Sequence, residues 1–377
     1  DSWFSSMQQE FDSPTGYKPS LIFLMINLLK SYYKSTRYIL NLVKFNDKNL
    51  NTIKYSDEFY NGLDNSKTPV RVFYASKKEC QSVFIFPGAS PYAENHPGMI
   101  MLANALRNVG YNVYLPRIPN LKNLLIVKEN VDWFSFCYKE LLKHPKVKGK
   151  VMVVGMSYGG ANLLKASFEK TFNENPPLSI LSYGTYFSIE TALNFFLTGE
   201  IDYKGKLYKI TPHEWGPIVI FYNFFKTIKT NLNQEKITLL LKNRIEDNDK
   251  EVEKIKKQLT DDENELVDKI LSGNIDQNIK DMILDMIEVN KDLLHYLSPK
   301  NWAENIDIKT FIMHGANDSM VPFTESTMLA KKIKKSKTLI SFLFEHREMS
   351  NNRGVFFKIK EILKMINFFA SYFKFNR

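Results

Sequence analysis

Five residues constrain this chain more than any others. They are Gly155-Met156-Ser157-Tyr158-Gly159, set directly after the apolar run Val151–Val154 and just before Gly160 and the helical run Ala161-Asn162-Leu163-Leu164-Lys165. An unbroken apolar run of that kind predicts a strand buried on both faces of a parallel sheet. A serine caught between such a strand and a helix sits on a sharp turn, where flanking glycines remove the steric conflict. The turn would present its hydroxyl at the carboxyl edge of the sheet, with the N–H of Tyr158 aimed where an oxyanion develops. With only 16 glycines in 377 residues, the pattern carries weight.

The rest of the chain supplies the sheet that such a turn requires. Short β-branched and aromatic runs at Val70–Tyr74, Ser82–Phe86, Tyr111–Leu115, Leu178–Tyr183, Thr310–Met313 and Leu339–Phe344 read as strands. Between them lie helical patterns, one starting near Pro97 and ending at Gly110, another over Glu129–Leu142. This alternation predicts an α/β fold with a mostly parallel, doubly wound sheet. The rhythm breaks between Ser188 and Trp302, where the chain reads as helical without convincing strands. Its first part is apolar and aromatic (Leu193, Phe195, Phe196, Leu197, then Ile218 to Phe225). Its second part is charged, with a sparse stripe of Val252, Ile255, Leu259, Leu266 and Ile270. The expected organisation is a helical segment over 1–50, a core of 51–187 and 302–377, and a helical insertion over 188–301 between two strands. An amphipathic helix over Val355–Phe373 closes the chain.

A serine hydroxyl is a poor nucleophile without a base, so an acid and a histidine should follow later strands. They do. The strand at Thr310–Met313 runs into His314-Gly315-Ala316-Asn317-Asp318 and then Val321-Pro322, and the strand at Leu339–Phe344 leads into Glu345-His346-Arg347. His346 would take the serine proton on one ring nitrogen while Asp318 holds the other and stabilises the imidazolium. Read singly, Asp318 is also a turn residue capping the helix after Pro322, and His346 a surface histidine. Their joint placement after successive strands favours the catalytic reading. Glu190, shortly after Leu178–Tyr183, is the alternative acid. His96 and His213, each alone in a loop, read as structural.

Composition narrows the partners. The net charge of +10 comes from basic residues that mostly alternate with acids, as in Lys250-Glu251-Val252-Glu253-Lys254, and no nucleic-acid module stands out. The charge therefore reads mainly as solubility. Two cysteines, Cys80 and Cys137, form no disulfide framework and favour a reducing compartment; six histidines lack the paired spacing of a zinc site. No metal and no cofactor are expected, and the expected location is cytoplasmic. The chain begins at Asp1 and reads as trimmed. Ser20 to Phe45 reads as one amphipathic helix whose apolar stretch Leu21–Leu29 is shorter than the roughly 20 residues a span needs. It would pack on the body of the protein or lie peripherally on a membrane surface.

The motif around Ser157, the stretch from His314 to Asp318 with Val321-Pro322, and His346 together resemble the α/β-hydrolase superfamily. The likeness is to its lid-bearing esterase, lipase and lysophospholipase-like branches, over about 70–187 and 302–377. The resemblance implies a second oxyanion donor after an early strand, where such enzymes usually carry a His-Gly pair. This chain has Pro87-Gly88-Ala89, so Ala89 N–H is the candidate and Ser90 the fallback. It also implies that 188–301 is a cap, whose aromatic part either lines an acyl pocket or fastens the cap to the core. The expected activity is hydrolysis of a medium- or long-chain ester or lysolipid. A thioesterase, an acyltransferase or an oligopeptidase would use the same triad. A binding or scaffold protein would keep the site as a vestige.

Overall fold

The computed structural model describes residues 21–44, 47–76, 80–345 and 354–377. Ten strands follow in chain order: β1 (Ser56–Asn61), β2 (Lys67–Phe73), β3 (Ser82–Phe86), β4 (Asn112–Pro116), β5 (Met152–Met156), β6 (Ile180–Tyr183), β7 (Glu200–Tyr203), β8 (Lys206–Lys209), β9 (Thr310–Asn317) and β10 (Ser336–Glu345). Eight of them form one sheet in the order β1-β2-β4-β3-β5-β6-β9-β10. All neighbours from β4 to β10 pair in parallel, while β2 runs antiparallel to both β1 and β4. This is the α/β-hydrolase architecture that the sequence led us to expect.

The pleat sorts side chains into two layers. Val83, Ile85, Met152 and Val154 point to one face, where they meet Tyr38, Met99 and Phe369. Those three come from helices α1 (Leu21–Val43), α2 (Pro97–Asn108) and α13 (Val355–Phe375). Phe84, Phe86, Val151 and Val153 point to the other face, against Val131, Phe134 and Leu163. These belong to α3 (Glu129–Leu142) and α4 (Ser157–Ala166). Strands covered on both sides explain why their sequences are nearly pure apolar.

Between β6 and β9 the chain leaves the sheet. It forms α5 (Ile189–Thr198), the β7–β8 hairpin, α6 (Trp215–Phe224), α7 (Gln234–Ile245), α8 (Asp249–Lys256), α9 (Asp261–Ser272), α10 (Gln277–Val289) and α11 (Lys291–Leu297). The hairpin corrects the strand-free reading of this segment. It turns on Lys204 and Gly205, both at positive φ (56° and 72°), as a two-residue hairpin of the primed type requires. The charged helices carry the expected stripe: Val252, Ile255, Leu266 and Ile270 are buried and Leu259 partly so. Phe221 and Phe225 are wholly buried in the same cluster as Phe86 and Phe134, each contributing about 2 kcal/mol of burial. Phe195 packs instead with Ile201 and Phe323. These aromatics fasten the insertion to the core, leaving Phe196, Trp215, Val219 and Tyr222 as its half-buried apolar surface. α12 (Phe323–Lys332) links β9 to β10.

Candidate active site

Ser157 sits where β5 ends at Met156 and α4 begins. Its φ is +50°, in the left-handed region that a residue with a side chain adopts only when its surroundings enforce it. The surroundings do so by close backbone approach. A Cβ on Gly155 would lie 2.7 Å from Gly160 Cα, one on Gly159 1.9 Å from Pro87 O, and one on Gly160 1.9 Å from Thr185 Oγ1. All three positions of the turn that touch neighbouring chain are therefore closed to any side chain. The residues free of that limit are Met156, Ser157 and Tyr158.

The loop after β3 is drawn against the serine. A Cβ on Gly88 would stand 3.2 Å from Ser157 Cβ and 3.1 Å from Met156 O. Two N–H groups are available around this contact. Tyr158 lies in the first turn of α4, where backbone donors lack intrahelical acceptors. The Ala89 N–H has no partner among the described residues, whereas Ser90 N–H donates to Leu121 O at 3.0 Å. That bond removes Ser90 as the fallback donor. The Tyr158 side chain points away from this role: its hydroxyl accepts from Asn130 Nδ2 at 3.2 Å, and its ring stacks on Tyr186. Burial pushes the phenol up to about 12.

Asp318 follows β9 and is 7% exposed. One carboxylate oxygen, Oδ1, accepts from Met320 N at 2.8 Å and Val321 N at 3.0 Å, which fixes the side chain by its own turn. The other, Oδ2, lies 3.6 Å from the place a Cβ would take on Gly184, and 3.6 Å from His314 Nε2. Gly184 and the adjacent Thr185 lie in the turn after β6, and it is Thr185 that meets Gly160 of the serine turn. One loop thus stands between Asp318 and Ser157, at the carboxyl edge of consecutive parallel strands. His346, the expected base, lies outside the described residues, one position beyond the end of β10.

His314 was not given a role by sequence reasoning. It is fully buried behind Asp318, with Nδ1 2.6 Å from Ser326 Oγ and Nε2 donating to Val321 O at 2.9 Å. Both ring nitrogens are committed, so it supports the acid turn and has none left for a serine proton. Glu325, next to Ser326 on α12, accepts from Phe187 N, Ser188 N and Thr191 Oγ1 at 2.8, 2.8 and 2.7 Å. It caps α5 and so ties the first helix of the insertion to the acid side of the site. Burial raises its pKa, and the three donors offset only part of that. The signal available in sequence was a charged residue four positions before the core-facing Leu329, on the same side of the helix.

The other candidates resolve simply. Glu190 is exposed on α5, 4.0 Å from Lys300. His96 caps α2, its Nδ1 accepting from Gly98 N at 3.2 Å. His213 shapes its own turn, Nδ1 accepting from Trp215 N at 3.2 Å, while its N–H reaches Ser319 O at 3.1 Å. That last bond, with Asn223 held between Leu124 O and Ile126 N, ties the insertion to the loops that follow β9 and β4. A cleft of about 280 Å³ lies between Pro91 and Tyr92 of the loop after β3, Lys122, and Tyr222, Lys242, Ile245 and Glu246 of the insertion; neither Ser157 nor Asp318 lines it. Among the described residues, no group of three or more His, Cys, Asp or Glu side chains could hold a metal ion.

No protein-family model matches the chain, and no curated protein matches it. Solved structures do. An esterase from Exiguobacterium antarcticum is 16% identical over 85% of this chain and 100% of its own, with a TM-score of 0.42. An acylaminoacyl peptidase from Pyrococcus horikoshii is 12% identical over 85% of this chain and 41% of its own, at 0.46. An alpha/beta hydrolase superfamily protein from Enterococcus faecalis is 11% identical over 85% and 99%, at 0.44. At these identities and scores none of them carries an activity over to this chain.

Proposed function

We propose that the protein is a serine hydrolase that cleaves carboxylic esters through an acyl-enzyme on Ser157. The observation that supports this most is Ser157 itself, held at φ +50° between β5 and α4 with the Gly88 loop against it. Left-handed strain at a serine costs about 1–3 kcal/mol and persists where function requires that geometry. In the proposed reaction Ser157 Oγ attacks the ester carbonyl while His346 accepts its proton. The N–H groups of Tyr158 and Ala89 hold the oxyanion. Collapse expels the alcohol, which takes the proton from His346. Water then attacks the acyl-enzyme as His346 removes its proton, and collapse releases the carboxylic acid while His346 returns that proton to Ser157 Oγ. Asp318 orients His346 and stabilises its charged form.

A medium or long acyl chain, or a lysolipid, fits the half-buried Phe196, Trp215, Val219 and Tyr222 of the insertion better than a small polar ester. The test is hydrolysis of p-nitrophenyl esters from acetate to palmitate by the wild type and by Ser157→Ala. Turnover should fall by about 10⁵-fold in the variant. Equal rates would sink the ester reading, and a clear preference for acetate over decanoate would remove the chain-length reading alone.

A further inference from the structure

On α1 the outward face is apolar, although an exposed helix face is ordinarily polar. Its inner face is buried through Ser35, Tyr38, Ile39 and Leu42. On the outer face Leu29 is 67% exposed, with Tyr33 and Leu40 also exposed. At 100° per residue these three fall within one narrow sector, with Lys30, Arg37 and Lys44 along its flank. The start of α13 repeats the pattern: Phe356 is 91% exposed, and Ile359 and Leu363 are exposed on the same side as Lys360.

The two faces are neighbours. Ser35 Oγ donates to Ile366 O at 2.7 Å and Tyr32 OH to Asn367 Oδ1 at 2.7 Å, so the helices run antiparallel. Counting on from Ser35 and Ile366 at 1.5 Å per residue sets Leu363 of α13 level with Tyr38 of α1 and Ile359 level with Leu42, beside the stretch of α1 that carries Leu40 and Val43. The charge on this pair is of one sign. α1 carries Lys30, Lys34 and Arg37 and no acid; α13 carries Lys358, Lys360, Lys364 and Lys374, and its one acid, Glu361, is 1% exposed.

We infer that this paired face of α1 and α13 is a docking surface for an anionic lipid bilayer. Apolar side chains flanked by lysine and arginine, with acid withdrawn from the surface, match an interface of acyl chains beneath negative headgroups. A protein partner would be expected to meet some acid here as well as base. The docking is superficial, since no described helix is long and apolar enough to cross a membrane. The surface also has a fixed relation to the site. Phe342 N donates to Glu361 Oε2 at 3.0 Å, and Lys337 Nζ bonds Ser371 Oγ, so α13 runs antiparallel to β10. Phe356, Ile359 and Leu363 are therefore at the end of the helix nearest the carboxyl edge of the sheet, the edge that carries Ser157 and Asp318.

The experiment is co-sedimentation of the full chain with vesicles of phosphatidylcholine alone and with phosphatidylserine added. Partitioning should rise at least about tenfold with the anionic lipid and fall with salt. Lys30→Glu with Arg37→Glu should lose that gain, while Leu29→Ser, Leu40→Ser and Leu363→Ser together should lose binding to both vesicles. All five positions are exposed, and both variants should keep the circular dichroism of the wild type. Their rates on a soluble p-nitrophenyl ester should match the wild type, so failure to bind vesicles is separable from failure of the esterase reading. Three outcomes would overturn the inference: equal partitioning on both vesicle types, a dimer in solution that the leucine substitutions dissociate, or vesicle binding that appears only after residues 1–20 are deleted. The last two would give the face to a second copy or to that segment.

Discussion

The turns that carry Ser157 and Asp318 are built on opposite principles. At Ser157 the conformation is imposed from outside, by backbone approaching backbone: Gly155 against Gly160, and Gly159 against Pro87 O. At Asp318 it is imposed from inside, by the side chain itself, whose Oδ1 gathers Met320 N and Val321 N. Ser157, the proposed nucleophile, is thus exchangeable without loss of the turn, whereas Asp318, the proposed acid, is part of its turn. Changes to the serine should be read in rate, changes to its glycines in stability, and changes to the acid in either, depending on which oxygen is altered.

The sharpest way to separate the two oxygens is Asp318→Asn. An asparagine keeps one oxygen for Met320 N and Val321 N, so stability should stay within about 1 kcal/mol of the wild type. The second oxygen becomes an NH₂ and can no longer stabilise an imidazolium, so kcat/KM should fall about 10³- to 10⁴-fold. A loss smaller than tenfold on p-nitrophenyl esters would mean that another group serves as the acid.

Gly160→Ala attacks the other turn and should act on the fold first. The new methyl would lie 1.9 Å from Thr185 Oγ1, and Thr185 is wholly buried with its hydroxyl accepting from Ser182 Oγ at 2.6 Å. We expect a loss of about 3 kcal/mol in urea unfolding. Adding Thr185→Ala should return part of it, because the clash is with that hydroxyl. If the single variant unfolds like the wild type, the turn is not sterically closed and the contrast between the two turns fails.

Glu325 lies where the acid side meets the insertion, and its contribution depends on pH. Burial holds its pKa above the ordinary 4.5, so the folded state binds its proton more tightly than the unfolded chain does. The stability tied to that proton is complete below 4.5 and is lost as pH rises through the raised folded value. Glu325→Gln cannot ionise yet offers an oxygen to Phe187 N and Ser188 N and an NH₂ to Thr191. It should therefore gain on the wild type as pH rises from acid to neutral. Glu325→Ala, which strands those donors, should cost about 2–3 kcal/mol throughout. A difference between the wild type and Glu325→Gln that does not change with pH would show that this carboxylate ionises as it does in the unfolded chain.

The same contrast decides what could be read in the sequence. A turn set by backbone contact needs glycines at fixed spacing, and Gly155, Gly159 and Gly160 announced it. Strands covered on both faces needed apolar runs, and Ser82–Phe86 is observed with the bounds the sequence predicts. β1 was missed because it is an edge strand with one exposed face; in Ser-Asp-Glu-Phe-Tyr-Asn only Tyr60 is buried. The β7–β8 hairpin was missed because its turn is Lys204-Gly205 rather than the Asn-Gly or Asp-Gly pair that usually marks one. Its alternation of Ile201, Tyr203 and Leu207 was nevertheless present. His314 and Glu325 act through neighbours brought from distant parts of the chain, and no local spacing announces such partners. The proposed base, His346, was read from its place after the strand Leu339–Phe344, and it lies beyond the described end of β10.

Tyr158 offers the smallest effect and the finest test of the serine turn. Its proposed role is carried by the backbone N–H, while its hydroxyl is turned into the protein toward Asn130 Nδ2, which also donates to Leu125 O at 2.9 Å. Tyr158→Phe leaves the N–H in place and keeps the ring that stacks on Tyr186. It removes one buried hydrogen bond, so stability should fall by about 1 kcal/mol. The value of kcat should change less than about threefold, since nothing that faces the carbonyl is altered. A fall of a hundredfold or more, with KM unchanged, would show that the hydroxyl acts on the transition state. The turn would then contribute a side chain as well as a backbone donor, and its division of labour with the acid turn would have to be redrawn.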